Sequence, residues 1–142
     1  MICVDASLAL KLVLAEQESE LVATQWEKWQ TEGQTVLSPW LFAFEIMAVL
    51  RKKVARGELT EKEGLEAWGI LSDLGIELRH HPLMWERSWA LAAQYRRPTT
   101  YDTAYLALAQ LLDCDLWTAD YRFIRALAGQ ESRLQSVSQV IP

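Results

Sequence analysis

Four carboxylates sit where their chemistry invites a question: Asp5 in "VDAS", Glu45 in "FEIMAVLRK", Asp102 in "TTYDTAYLALA" and Asp120 in "LWTAD". Gathered in one cleft, they would repel each other and their pKa values would rise. A divalent cation with oxygen ligands relieves that repulsion. Mg²⁺ or Mn²⁺ suits the set, because no Cys/His group with zinc spacing accompanies it. Three of the acids also have a plainer reading. Asp5 could cap a helix starting near Ser7, and Asp120 could cap one over 121–128. Asp102, three residues after Thr99, could be the N3 partner of a capping-box-like start. A carboxylate at a helix N-terminus gains a few tenths to roughly 1 kcal/mol. Glu45 is different. It is the only polar side chain in "WLFAFEIMAVL", residues 40–50, and lies too deep in its helix to cap it. A helix apolar all round is expected to be buried. An ionised carboxylate there costs several kcal/mol unless it is paired or binds a metal. A salt bridge to an arginine of another element, or a narrow polar stripe facing water, are the alternatives.

The elements that must position these acids alternate between short apolar runs and longer helical ones. "ICV" reads as a strand and is followed by a helix from about Ser7. Residues 18–32 form a second helix, ended near Gly33. "TVLS" is strand-like, and Pro39 suits the first turn of a long helix that stops near Gly57. Thr60 and Glu63 spell a capping box for the next helix. "IELR" is a third strand. Pro82 opens a helix to about Tyr95, and Thr99 or Thr100 opens another to about Leu112. "DLWT", a helix over 121–128 and "LQSV" as a last strand complete the pattern. Such alternation implies right-handed crossovers and a mostly parallel α/β sheet covered on both faces. In open sheets of this kind, sites form beyond the carboxyl ends of the strands. Asp5 and Asp120 lie directly after two strands that would be neighbours there.

The chain has 142 residues, 51% of them hydrophobic and 23% charged, which favours one ordered domain with a sizeable core. Fourteen Lys/Arg against nineteen Asp/Glu leave a net charge of −5, unlike a general polyanion binder. Direct DNA binding by this chain is not expected. Contact with a nucleic acid needs a local basic patch or a bound cation. No apolar run spans a bilayer, and "MICVDASLAL" lacks the charged n-region and cleavage site of a signal peptide. Cys3 and Cys114 are too few for a disulfide framework. A reduced, cytoplasmic protein without membrane contact is expected.

The four segments, in this order, resemble the PIN-domain ribonucleases, and most of all the VapC-type toxins of bacterial and archaeal toxin–antitoxin pairs. The resemblance covers essentially the whole chain. It implies a single PIN-like domain over 1–142. The implied fold is three-layered, with a mostly parallel central sheet of four to five strands flanked by about seven helices. It implies that Asp5, Glu45, Asp102 and Asp120 are the catalytic acids and hold Mg²⁺ or Mn²⁺, with Ser7 and Thr118 as supporting hydroxyls. Trp117 departs from the small aliphatic residue common at its position. The implied reaction is hydrolysis of an RNA phosphodiester, with the 3′ oxygen leaving and a 5′ phosphate on the product. The implied partners are an antitoxin, gripped by the early helices, and a second copy of the chain. Trp26, Trp29, Trp40, Phe42 and Phe44 are candidates for the antitoxin groove.

Substrate positioning would need cations near the acids. Arg96 and Arg97 precede Thr99, Arg122 and Arg125 follow Asp120, and "RKKVAR" at 51–56 continues the Glu45 helix; each could meet a phosphate or be a solvated surface charge. Thr99 and Thr100 could add hydroxyl contacts or simply cap. His80 and His81 alternate across a strand end and so do not share a metal. Two other classes compete with a nuclease. One is a non-catalytic module of the same fold with an acidic metal pocket. The other is an acid-cluster phosphatase or receiver, disfavoured by Ser7 where a second aspartate is needed and by the lack of any lysine after Lys62.

Overall fold

The computed structural model describes residues 1–138 of the chain. The short apolar runs form strands β1 (Ile2–Val4), β2 (Val36–Pro39), β3 (Glu77–Arg79), β4 (Asp115–Trp117) and β5 (Leu134–Gln135). They pair in parallel in the order β3-β2-β1-β4-β5. The central strand β1 sets Ile2 opposite Val36 on one side and Asp115 on the other. Parallel neighbours need long crossovers, and helices supply them. Helices α1 (Ala6–Leu10) and α2 (Ser19–Thr31) lead to β2. Then α3 (Leu41–Ala55) and α4 (Glu61–Ser72) lead to β3, α5 (Met84–Gln94) and α6 (Tyr101–Leu111) to β4, and α7 (Tyr121–Leu127) to β5. Sheet and helices make the three-layer α/β architecture that the alternation predicts, with five strands and seven helices among the described residues.

The core sits between the sheet and α6, which packs across β1, β2 and β4 and is buried continuously from Thr103 to Ala109. Leu8, Leu37, Ile46, Leu106, Leu116 and Phe123 fill it. Thus α6 is the helix apolar all round that burial demands. Helix α3 is not: it buries the i, i+4 stripe of Phe42, Ile46 and Leu50. It leaves Trp40 and Phe44 62% and 73% exposed, contrary to the expectation of a wholly buried helix. Helices α1 and α4 and strand β2 cover one side of it, and the other faces out.

Further local details differ from expectation. Pro39 ends β2, paired with Arg79, and does not open a helix; its fixed φ suits an extended strand end as well as a first turn. Helix α3 begins at Leu41 after Trp40. The strand expected over "LQSV" is only Leu134–Gln135. The capping box of α4 is present: Glu63 N–H donates to Thr60 Oγ1 at 3.1 Å, and Thr60 N–H to Glu63 Oε1 at 3.0 Å. Trp26 and Trp29 belong to the core, their rings 5.8 Å apart edge to face, and Phe42 is buried as well. None of these three can line a docking groove. Trp117 finds its packing partner in Trp29, ring centroids 5.2 Å apart, which accounts for a bulky residue there. Among the described residues, no helix is long and apolar enough to cross a membrane.

Candidate active site

The carboxyl ends of β1 and β4 lie side by side, and the chain stitches them together around Asp5. Asp5 caps α1, accepting from Leu8 N–H at 3.0 Å. The same oxygen accepts from Ser7 Oγ at 2.7 Å, and its other oxygen accepts from Thr118 Oγ1. Each hydroxyl accepts in turn: Ser7 Oγ from Ala119 N–H at 3.0 Å, and Thr118 Oγ1 from Asp120 N–H at 2.9 Å. Ser38 Oγ of β2 fixes the Val4 carbonyl just before Asp5. Asp5 is therefore both a cap and the centre of a hydroxyl network that Ser7 and Thr118 supply. Asp120 also caps: its Oδ1 accepts from Arg122 and Phe123 N–H at 3.1 and 3.2 Å, opening α7.

Asp102 is not a cap. Thr100 precedes α6 without any side-chain capping bond, and the partner of Asp102 is Arg97, Nη2 to Oδ2 at 3.5 Å. That distance is long for a charge-assisted bond. The Arg97 guanidinium also lies over the Phe123 ring, 5.7 Å from its centroid. Glu45 projects from the covered side of α3, and its Oε1 is buried with no hydrogen-bond partner. A cavity of about 300 Å³ beside it is lined by Ser7, Lys11, Glu16, Val49 and Ala119.

Electrostatics ties the four acids into one neighbourhood. Burial pushes Asp5 up to about 6; the Thr118, Leu8 and Ser7 hydrogen bonds oppose this, and the charge of Asp120 adds to it. Burial likewise pushes Glu45 up to about 7, with Asp5, Asp102 and Asp120 all raising it further and Tyr105 lowering it slightly. Burial and then Asp120 raise Asp102, while Arg97 pulls it back. The mutual repulsion expected of gathered carboxylates is thus present. Among the described residues, no three His, Cys, Asp or Glu side chains form a ready-made metal-holding cluster. The acids feel one another's charge, while Asp102 is paired with Arg97. In donor chemistry the set still fits a hard divalent cation: every donor is oxygen, and a buried carboxylate oxygen goes unpaired.

The cations fall into two groups. Arg97 and Arg122 stand at the site, Arg97 on Asp102 and Arg122 beside Asp120 in an open cavity of about 550 Å³ shared with Tyr121 and Arg125. Arg96, in a left-handed conformation at φ 52°, and Thr99 are exposed on the loop before α6 and touch none of the four acids. From "RKKVAR", Arg51 pairs with Glu61 at 2.8 Å and Lys53 with Glu58 at 3.2 Å, so both are engaged away from the site. His80 is exposed against Trp85, and His81 accepts from Leu83 N–H. One site residue escaped the sequence reading. Tyr105, on α6 three residues after Asp102, is buried with an unpartnered hydroxyl next to Glu45. Its signal was faint: a phenol among the alanines and leucines of "AYLALA", one turn below a candidate acid.

A parallel five-stranded α/β sheet with Asp5 and Asp120 directly after its neighbouring strands β1 and β4, and with Glu45 and Asp102 coupled to them from α3 and α6, defines a class of protein, a three-layer α/β domain with an acidic cluster at one end of its sheet. The model of the PIN domain family matches residues 2–128, and the chain belongs to that family, among its VapC-type members. Ribonuclease VapC12 of Mycobacterium tuberculosis is 31% identical over 140 residues, 97% of this chain and 100% of the relative. Ribonuclease VapC9 of the same species is 33% identical over 128 residues, 86% of this chain and 87% of the relative. A toxin–antitoxin complex from Klebsiella pneumoniae contains a chain that superposes with a TM-score of 0.71 at 18% identity, covering 99% of this chain and all of that one. That likeness shows the fold alone.

Proposed function

We propose that this chain is a Mg²⁺- or Mn²⁺-dependent endoribonuclease and the toxin of a toxin–antitoxin pair, acting in the cytoplasm as one PIN-like domain over 1–142. The last four residues of that span lie outside the described ones. One observation carries the reading: the unpaired, buried Glu45 oxygen in a pocket whose other acids raise its pKa. A buried carboxylate oxygen without a partner is a cost that a purely structural helix has no reason to carry. Kinship with two VapC ribonucleases supports the same conclusion. Asp5, Glu45, Asp102 and Asp120 are the residues that would hold the cation. When bound, it supplies polarisation of a phosphoryl oxygen and acidification of a water. Ser7 and Thr118 keep Asp5 ionised and oriented by donating to both its oxygens. Arg97 and Arg122 meet the phosphates of the RNA, with Arg96 and Thr99 on the approach to the cleft. Arg97 then exchanges the Asp102 carboxylate for a phosphate. A non-catalytic module of this fold with an acidic metal pocket would bind the cation without cutting RNA, and the cleavage assay below separates the two.

Two partners complete the reading. An antitoxin covers the cleft region, and a second copy covers the exposed apolar face of α3 and α5. Incubating RNA with the purified chain and Mg²⁺ or Mn²⁺ tests the activity. Cleavage is expected with either ion, with none in excess chelator and none from folded Asp5→Ala or Asp102→Asn. Cleavage that survives both substitutions sinks the proposal.

A further inference from the structure

Two polar atoms in the floor of the cleft lack partners, and they are neighbours. Glu45 Oε1 on α3 and the Tyr105 hydroxyl on α6 are each buried without a hydrogen bond. Tyr105 is 2% exposed, and its hydroxyl is close enough to the Glu45 carboxyl for each to shift the other's proton affinity, although neither atom completes a well-formed hydrogen bond. Native proteins seldom leave a buried donor and a buried acceptor side by side and unmatched, and such a pair calls for a functional reason. The other donors nearby are committed. Ser7 and Thr118 donate to Asp5. Lys11 holds the Gln17 carbonyl at 2.7 Å and Glu16 at 3.5 Å, and Arg97 reaches Asp102. The backbone that carries Tyr105 is tied to the central strand, its carbonyl accepting from Cys3 Sγ at 3.8 Å, and the ring is buried in the core. Its hydroxyl stays protonated, since burial and the surrounding negative charges push its pKa far above the ordinary range.

We infer that the Tyr105 hydroxyl is a positioning group for Glu45: it donates to Oε1 of the ionised carboxylate and turns the other oxygen toward the cation. This rests on the cation-dependent reading proposed above. Ligating carboxylates are themselves hydrogen-bonded as a rule, and losing such an outer partner typically weakens metal affinity about 10- to 100-fold.

The test is a Mn²⁺ titration of the chain without RNA, followed by calorimetry and by thermal melting, for wild type and Tyr105→Phe. The ring volume is kept and only the hydroxyl is lost. The inference expects a melting temperature in chelator at or above that of wild type, with a Mn²⁺ midpoint weakened about 10-fold. On a Glu45→Gln background the same change should add no further loss, because it acts through Glu45. An unchanged midpoint, or a midpoint that falls only together with a lower melting temperature in chelator, overturns the positioning role while leaving the cation reading intact. A wild-type chain that binds no Mn²⁺ overturns both. Should Tyr105→Phe fail to fold, wild type labelled at the tyrosine ring carbon bearing the hydroxyl still decides. Mg²⁺ should slow exchange of one hydroxyl proton, and no slowing counts against the inference.

Discussion

At the scale of single residues, the site trades stability for chemistry. A carboxyl whose folded pKa lies above its unfolded value keeps its proton in the native chain after the unfolded chain has lost it. Below about pH 4, both states are protonated and nothing is lost. Between there and the folded values, about 6 for Asp5 and about 7 for Glu45, the unfolded state ionises first and stability declines. Above them the loss is complete. For the fully buried Asp5 this amounts to roughly 3 kcal/mol at most. For the partly exposed Glu45, solvent screening cuts it to about 1–2 kcal/mol. In chelator, Glu45→Gln should therefore raise the melting temperature at pH 7.5 by about 3–6 °C and change it little at pH 4. Scanning calorimetry at the two pH values checks this, and a Glu45→Gln chain that melts lower at pH 7.5 would mean the carboxylate is structurally paired. Glu45 stood out in the sequence because a lone acid in an apolar helix is too deep to be a cap, and the salt bridge to an arginine, one of its two plainer readings, is absent among the described residues. The caps expected of Asp5 and Asp120 are present, and a helix cap does not by itself say whether the carboxylate does anything more. The Arg97–Asp102 contact was not legible: a pair five residues apart across a loop depends on the backbone turn at Arg96, which no local pattern announces.

At the scale of elements, the position of Glu45 depends on how α3 is clamped. One clamp is Gly64, inside α4, where an added Cβ would stand 2.9 Å from Val54 Cγ2. Valine in a helix has essentially one χ1 rotamer, so it cannot swing aside. Gly64→Ala would thus push α4 off α3 despite the better helix propensity of alanine. The expected cost is about 1–3 kcal/mol, read as a lower urea midpoint. Val54→Ala should largely restore stability when combined with it, because the clash partner is gone. Independent, additive losses from the two changes would contradict a close helix crossing. Strands and caps were readable because their signals are local: an apolar run, a Thr60–Glu63 pair, a glycine after a helix. Pro39 was misread because its fixed φ serves a strand end and a helix start equally, and only pairing with Arg79 decides. Which sides of α3 are covered is settled by α1, β2 and α4, elements from three stretches of chain.

At the scale of the whole molecule, the apolar exposure needs an occupant. Trp85 and Trp89, one turn apart on α5, are 68% and 74% exposed, and Tyr101 at the start of α6 is 60% exposed. Trp85 and Tyr101, with Trp40 and Phe44, line a groove of about 610 Å³ that reaches Thr100, two residues from Asp102. A monomer in water rarely leaves so many large rings together in the open, and aromatic residues are enriched where protein surfaces meet. The net charge of −5 keeps two copies from sticking at random, yet this face contributes almost none of that charge. If a second copy covers it, Trp85→Glu places a charge in the buried centre and should convert a dimer to a monomer in light scattering at micromolar concentration. Its melting temperature should then lose any dependence on protein concentration. Because the groove runs up to the loop before Asp102, cleavage should also weaken in the monomer, with Mn²⁺ binding unchanged, since none of the four acids has moved. A wild-type chain that is already monomeric, with Trp85→Glu as active as wild type, would leave this face to the antitoxin. Adding that partner would then shield Trp85 and Trp89 fluorescence from quencher where self-association does not.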